Sequence, residues 1–171
     1  MGLSIVISGS IMMISLLAVS FSIFSMMNDS VIIYDSLNKN MINDKSIMDT
    51  SITISSINAT NTDTLVTIAL NNNGTTKIWN YNDFDLIITY DANMSNNKVR
   101  LTEYLSYSTV LTTDKWIIKS IINDILDPDI INPTEQAIIH AKLSYTPYDN
   151  GVIIITISTD NGSTYSLARV I

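Results

Sequence analysis

Few side chains in this chain are capable of catalytic chemistry. The 171 residues include no cysteine and one histidine, His140. Without several Cys or His ligands there is no zinc or iron–sulfur site, and without cysteine there is no thiol nucleophile and no disulfide. His140 lies in an alternating segment, Glu135–Tyr145, and no G-x-S-x-G turn accompanies it. The sequence therefore predicts no enzyme, no catalytic residue and no cofactor.

Three aspartates, Asp124, Asp127 and Asp129, form an acidic cluster with the hard oxygen ligands that Ca²⁺ prefers. Their spacing does not match an EF-hand loop, because the required glycine and the distal glutamate are missing. A solvated loop is the favoured interpretation, and no metal ligand is predicted.

Asparagine offers a different chemistry, because five N-x-[ST] triplets are potential acceptors of N-linked glycans. Two of them, at Asn73 and Asn161, fall in predicted turns, where a glycan would stay outside the core. We therefore take Asn73 and Asn161 as candidate glycosylation sites.

The overall charge excludes one class of partner. Sixteen acidic and nine basic side chains give a net charge of −7. A chain of this charge is repelled by the phosphates of nucleic acids, so no nucleic-acid partner is expected.

The amino-terminal segment is the most apolar part of the chain. Residues 3–27 contain no charged side chain, and the first charge is Asp29. As a helix, 25 residues extend about 37 Å, which is enough to cross a hydrocarbon core of about 30 Å. One membrane-spanning helix is the simplest interpretation. A cleaved secretory signal ending near Ala18-Val19-Ser20 and a buried helix of a soluble protein are the alternatives.

A helical pattern continues beyond this segment. Ile33, Leu37 and Met41 recur every four residues, which predicts an amphipathic neck over residues 29–49. Residues 3–49 would then form one helix. The apolar stripe of the neck needs a partner surface, either on its own domain or on copies of the same helix.

After Thr50 the apolar period changes from 3.6 to 2, which predicts strands separated by Asn-rich and Gly-containing turns. The fold class is thus mainly β, with a transmembrane helix followed by an all-β sandwich of about eight strands. The two predicted domains are residues 1–50, helix and neck, and residues 51–171, an extracytoplasmic sandwich. The predicted strands are Ser51–Ile57, Thr64–Leu70, Phe84–Asp91, Lys98–Tyr104, Lys115–Ile122, Glu135–Tyr145, Val152–Ser158 and Ser163–Ile171.

Aromatic residues are the candidates for a contact surface, because Trp and Tyr dominate interface hot spots. Trp79, Tyr81, Tyr104 and Tyr107 are the predicted interface residues. Sandwich cores also bury tryptophan, and this alternative applies to Trp79 and to Trp116.

The order of these parts resembles the archaeal members of the type IV pilin superfamily, in particular the archaellum accessory proteins FlaF and FlaG. The resemblance rests on the start Met1-Gly2-Leu3-Ser4 before an apolar helix and on landmarks of the head. These landmarks are Trp79, the segment Phe84–Asp91, the loop from Trp116 to Glu135 and the turn Ser158–Gly162.

The resemblance implies a motor-associated structural protein that crosses the archaeal cell membrane once through a pilin-like helix. It also implies that the β-sandwich at the carboxyl-terminal end is an immunoglobulin-like head outside the cell. It implies stator function and contact with the surface-layer protein or a sister accessory protein, and self-association through helix or head is a further expectation. The alternative is an archaellin or pilin subunit that polymerises into a surface filament. Close helix packing in such a filament would be helped by glycine and alanine, but Gly9 and Ala18 are among few such residues and Met, Ile and Leu dominate, which favours the anchor.

Overall fold

The computed structural model of the protein describes residues 2–171, and for positions 2–6, 43 and 46 it describes the backbone alone. Met1, part of the start on which the resemblance rests, lies outside the described residues. The chain forms one helix, α1 (Gly2–Asp49), followed by eight strands and a short 3₁₀ helix, Tyr81–Asp83. The strands are β1 (Ile52–Asn58), β2 (Leu65–Asn72), β3 (Asp85–Met94), β4 (Asn97–Tyr107), β5 (Lys115–Ile122), β6 (Gln136–Lys142), β7 (Val152–Ser158) and β8 (Thr164–Val170).

The helix α1 confirms the predicted continuous helix over residues 3–49. It is apolar over its first half. Among the described residues, one helical stretch, Ile7–Asp49, is long and apolar enough to be a candidate membrane span, and its apolar 18-residue window has a mean hydropathy of 2.0. Serine hydroxyls within it bond to the preceding turn, as Ser15 donates to the carbonyl of Ile11 at 2.9 Å. This local bond satisfies a polar group without any water.

The described apolar side chains of α1 are exposed on several faces. On the predicted stripe, Leu37 and Met41 are 55% and 68% exposed, and off it Tyr34 and Ile42 are 71% and 68% exposed. Exposure therefore does not distinguish the predicted stripe from the other faces of the helix, and the amphipathic neck stays a prediction.

The strands pair in the order β1-β2-β6-β5-β4-β3-β7-β8. Neighbours are antiparallel except β4 and β5, which are parallel and pair only through Ser106 with Lys115 and Tyr107 with Trp116. This short seam separates two four-stranded halves, the first sheet (β1-β2-β6-β5) and the second sheet (β4-β3-β7-β8). The result is the predicted immunoglobulin-like sandwich.

The core lies between the inner faces of the two sheets, where alternate residues of each strand point inward. The predicted inward rows are confirmed, since every member is at most 2% exposed. These rows are Phe84, Leu86, Ile88 and Tyr90 on one side and Ala137, Ile139, Ala141 and Leu143 on the other.

The strand boundaries differ from prediction chiefly at two turns. The predicted strands Phe84–Asp91 and Lys98–Tyr104 leave residues 92–97 between them, whereas the β3–β4 connection in the structure is only Ser95 and Asn96, with left-handed φ angles of 53° and 65°. Two such residues form the compact turn that suits the twist of a hairpin. Strand β6 ends at Lys142 rather than Tyr145, and there the Ser144 amide donates to the Glu103 carboxylate at 3.1 Å.

The chain divides into two compact units, Met1–Asp44 and Lys45–Ile171. The last turn of α1 thus belongs to the same unit as the strands, which we call the head. The predicted division after residue 50 stays a prediction about independent domains.

Candidate interaction surface

Two of the four aromatic residues predicted to form a contact surface pack against the core. Tyr81 is 7% exposed, and its ring centroid lies 5.6 Å from that of the half-buried Tyr107. Tyr107 in turn lies 4.9 Å, ring to ring, from the fully buried Trp116. Burial raises the pKa of the Tyr81 hydroxyl, which therefore remains a hydrogen-bond donor at all physiological pH values. Tyr81 is therefore part of the buried core, and Tyr107 lies half-buried between Tyr81 and the buried Trp116.

The other two aromatic candidates are accessible. Trp79 is 64% exposed and Tyr104 is 58% exposed, so the core alternative considered for tryptophan describes Trp116 but not Trp79. The Tyr104 hydroxyl donates to the Asp85 carboxylate at 2.9 Å, and this hydrogen bond raises the pKa of Tyr104. Trp79 and Tyr104 remain candidates for contact with a partner.

Trp79 lies next to a loop in which the sequence analysis identified only the acidic cluster Asp124, Asp127 and Asp129. The 123–131 loop connects β5 to the segment before β6, and Ile131 exchanges two backbone hydrogen bonds with Ile78, at 2.9 and 3.0 Å. A salt bridge of 2.5 Å joins Lys77 to Asp127 of the loop. The segment around Trp79 and the 123–131 loop thus form one joined part of the head surface.

The loop aspartates do not form a metal centre in the described part of the chain. No group of three His, Cys, Asp or Glu side chains there is arranged to hold an ion. Asp124 accepts from the amide of Asp129 at 3.1 Å, and Asp127 pairs with Lys77. Their carboxylates therefore shape and charge the loop.

A cleft of about 330 Å³ lies beside the open edge of β5 and is lined by Tyr81, Tyr107, Lys119 and Asp129 among others. An open strand edge can pair with another chain. Here the edge carries Lys119 at a register shift between Ile118 and Ser120, and both a lysine and a bulge oppose edge pairing. The cleft therefore gives no support to strand addition.

His140 lies on the outer face of β6, in register with Thr67 and Ile117 of the neighbouring strands. Partial burial, with a smaller effect of the nearby Lys119 charge, lowers the pKa of the imidazole. The side chain is neutral at pH 7 and belongs to the surface of the first sheet.

The candidate glycosylation sites occupy different surroundings. Asn73 is exposed, and its amide donates to the Thr53 hydroxyl at 2.7 Å. Asn161 is half-buried, and its amide donates to the Thr50 hydroxyl at 2.5 Å.

Sequence reasoning missed two features of the head. One is the exposure of Ile125 and Leu126 in the 123–131 loop, 83% and 69%. The sequence signal for this feature was a pair of adjacent apolar residues within an acidic loop.

The other feature is Asp91, which is 5% exposed and accepts a hydrogen bond from Arg100 at 2.8 Å. These two residues are equidistant from the Ser95-Asn96 turn, so a correct turn prediction would have paired them.

The chain matches a family model over residues 48–168, namely the conserved flagellar protein F, immunoglobulin-like domain. The match covers the head almost completely. The chain belongs to the FlaF family. It is thus an archaellum accessory protein of the FlaF and FlaG type, a structural component of the archaellum. Among curated proteins, a search found no match to the chain.

Solved structures share the fold of this FlaF-family chain. The archaellum periplasmic stator protein FlaG from Sulfolobus acidocaldarius is 22% identical with a TM-score of 0.50, and the match covers 70% of this chain and 99% of that one. The stator protein complex of FlaF and FlaG from the same organism is 20% identical with a TM-score of 0.50, covering 69% and 87%. The archaeal flagellum of Methanospirillum hungatei strain JF1 is 11% identical with a TM-score of 0.61, covering 96% and 92%.

Proposed function

We propose that this FlaF-family protein is a stator-like anchor, held in the cell membrane by α1 and contacting the surface layer or a sister accessory protein through its head. One observation supports this most strongly. A head of the flagellar protein F family directly follows a helix whose first 27 residues carry no charge.

Both the apolar and the polar side chains of the helix suit a hydrocarbon environment. Phe21 and Phe24 are 73% and 68% exposed, and such side chains are favourable in lipid but not in water. Ser20 donates to the Leu16 carbonyl at 2.9 Å, so its hydroxyl needs no partner from the solvent. In lipid, an unsatisfied polar group would cost several kcal/mol.

The head suits a mechanical role outside the cell. A packed sandwich core resists deformation, because protein interiors are as dense as organic crystals. A stationary part that transmits force between membrane and cell wall requires such rigidity and a contact surface, and it requires no reactive group. The solved relatives described as periplasmic stator proteins have heads of the same fold, which supports this role.

A filament subunit is the second candidate, because the likeness to the M. hungatei flagellum extends over 96% of this chain, helix included. In that case α1 would pack on identical helices. The family model that the chain matches, however, is that of the flagellar protein F and not of a filament subunit. The anchor is therefore the preferred function.

The test uses the full chain produced in an archaeal host with an intact surface layer. We expect it in the membrane fraction after a high-salt wash, and released together with surface-layer protein only by detergent. The variant Leu16→Arg with Val19→Arg should move to the soluble or degraded fraction, because two arginines at mid-helix oppose insertion.

The matched control is Leu37→Arg with Met41→Arg, which places the same two positive charges beyond Asp29 and should leave the chain in the membrane. Wild-type chain that remains soluble after gentle lysis contradicts the anchor. Chain that forms long fibres when detergent is removed supports the filament subunit instead.

A further inference from the structure

The 123–131 loop carries the most exposed large apolar side chain of residues 50–171 in the structure. Ile125 is 83% exposed, and the adjacent Leu126 is 69% exposed. We call these two residues the apolar tip. Because neither side chain contributes buried area to the core, the tip does not stabilise the fold through the hydrophobic effect. Adjacent exposed apolar residues of this size often mark an interaction site.

The loop is held firmly at its base. The buried Asn132 donates from its amide to the Leu126 carbonyl at 2.6 Å, and its own backbone amide donates to the Glu135 carboxylate at 2.8 Å. The Tyr81 hydroxyl donates to the Asp129 carbonyl at 2.9 Å. The carboxyl-terminal side of the tip is thus fixed to the core by hydrogen bonds.

The backbone of the loop is also unusual. Asn123, Asp127 and Asp129 have φ angles of 62°, 49° and 66°, in the left-handed region. Asn and Asp tolerate this region better than other non-glycine residues, yet each such residue still carries strain. Strained backbone concentrates at binding sites. A loop constrained in this way loses little conformational entropy when a partner binds.

The charge around the tip narrows the class of partner. Asp124, Asp127 and Asp129 flank it, and Lys77 compensates one of the three charges through its 2.5 Å pair with Asp127. The carboxylate of Asp129 is on an exposed residue. An anionic lipid surface repels these carboxylates, whereas a protein pocket that is apolar at its centre and bordered by Lys or Arg complements them and the tip.

We propose that the apolar tip is the contact by which the head docks into an apolar, basic-rimmed pocket of a partner protein. This inference rests on the proposed function, since it names the surface through which the anchor would hold the surface layer or the accessory protein. Trp79 extends the same surface, because its segment is joined to the loop by the Ile78–Ile131 bridge and the Lys77–Asp127 pair.

The test measures binding of the full chain in lipid nanodiscs to two purified probes, the surface-layer protein and the FlaG-type accessory protein of the same organism. The double variant Ile125→Ser with Leu126→Ser should weaken binding to one probe at least about tenfold, as expected for hot-spot residues. The control variants are Val110→Ser and Val170→Ser. These valines are 64% and 63% exposed, and their replacement should leave the affinity within about twofold of wild type.

A second measurement tests the charge argument. The variant Asp129→Lys should weaken binding to the same probe and reduce its dependence on NaCl concentration, because a favourable pair with the basic rim is lost. Equal binding of wild type and the tip variant to each probe that the wild type binds overturns the inference while leaving the proposed function intact. Failure of wild type to bind either probe removes the proposed function and this inference with it.

Two other occupants are distinguishable in the same experiment. If the tip variant changes only the oligomeric state of the chain, measured by light scattering, the tip contacts a second copy. If it changes only binding to protein-free anionic vesicles, the tip contacts lipid. Either result overturns the inference.

Discussion

The amide nitrogen of Asn161 lies 2.5 Å from the hydroxyl oxygen of Thr50, although 111 positions separate them in the sequence. Thr50 follows the last residue of α1, and Asn161 lies in the β7–β8 turn. The Thr50 hydroxyl is also 2.6 Å from that of Thr76, and the Thr50 carbonyl accepts from the Ser163 hydroxyl at 3.0 Å. Thr50 is 6% exposed, so the end of the helix is built into the head.

Replacing Thr50 with alanine should lower the free energy of unfolding of the head by about 1–3 kcal/mol, because the half-buried Asn161 amide and Thr76 hydroxyl lose a shared partner. The measurement is urea unfolding of the full chain in detergent, followed by tryptophan fluorescence. The exposed Thr113 supplies the control, and Thr113→Ala should change stability by less than about 0.5 kcal/mol. Equal midpoints for the two variants would contradict a structural role of Thr50.

Gly74 should not tolerate a side chain. A Cβ built at this position would lie 2.5 Å from the Asp49 carbonyl oxygen and 2.6 Å from the Ser51 amide nitrogen, both backbone atoms that cannot move aside cheaply. We expect Gly74→Ala to lower the melting temperature by several degrees, which corresponds to a loss of about 1–3 kcal/mol. Gly162→Ala tests a different effect, since Gly162 has open space around it but a φ of 88°. A loss at Gly74 with unchanged helix content would identify the clash as the cause.

Asp91 should make the head sensitive to acid. Its carboxylate accepts from the Val152 amide and the Arg100 guanidinium, both at 2.8 Å, and from Lys98 at 3.0 Å. The Val152 hydrogen bond first, and then Arg100 and Lys98, lower the pKa of Asp91 to about 2. Because the folded pKa lies below the unfolded value of about 4, the stabilisation is complete above pH 4 and is lost as the pH falls towards 2.

We therefore expect the melting temperature of the wild type to fall between pH 4 and pH 2, and that of Asp91→Asn to be lower at pH 7 and to change less over this interval. The stability difference at pH 7 should be on the order of 2 kcal/mol. Asp149→Asn, at an exposed position, is the control and should keep the wild-type profile. A parallel decline of wild type and Asp91→Asn would assign the acid sensitivity to other groups.

Of the two candidate glycosylation sites, we expect Asn73 to carry a glycan and Asn161 to remain unmodified. A glycan on Asn161 would compete with its bond to Thr50, whereas Asn73 is exposed in the turn after β2. The measurement is the intact mass of the chain from its native host. Thr75→Ala removes the Asn73 triplet and should reduce the mass by one glycan. Ser163→Ala removes the Asn161 triplet and should leave the glycan mass unchanged.

The sequence was sufficient for those parts of the fold that depend on local periodicity. The alternation of Leu86, Ile88 and Tyr90 predicted an inward row correctly. Side chains of a strand alternate between its two faces, so when one face is apolar only one assignment of the faces buries it. The 48-residue helix could also be predicted from the sequence, since no proline or glycine pair interrupts its apolar segment.

The candidate surface was less predictable, because accessibility depends on contacts between distant segments. Nothing local distinguishes Trp79 from Trp116, yet one is 64% exposed and the other is fully buried. Tyr81 is taken into the core by its bond to the Asp129 carbonyl, a partner 48 positions away. The exposure of Ile125 likewise follows from left-handed residues on both sides of it, which composition does not reveal.

The hydrogen bonds of Asp49 and Thr50, at the end of the helix, determine how a pulling force would be distributed in the head. The Asp49 carbonyl accepts from the Thr75 amide beyond β2, at 2.8 Å, while Thr50 bonds to Ser163 and Asn161 between β7 and β8. A pull along the chain is therefore delivered to both sheets together, and β1 does not carry the load alone.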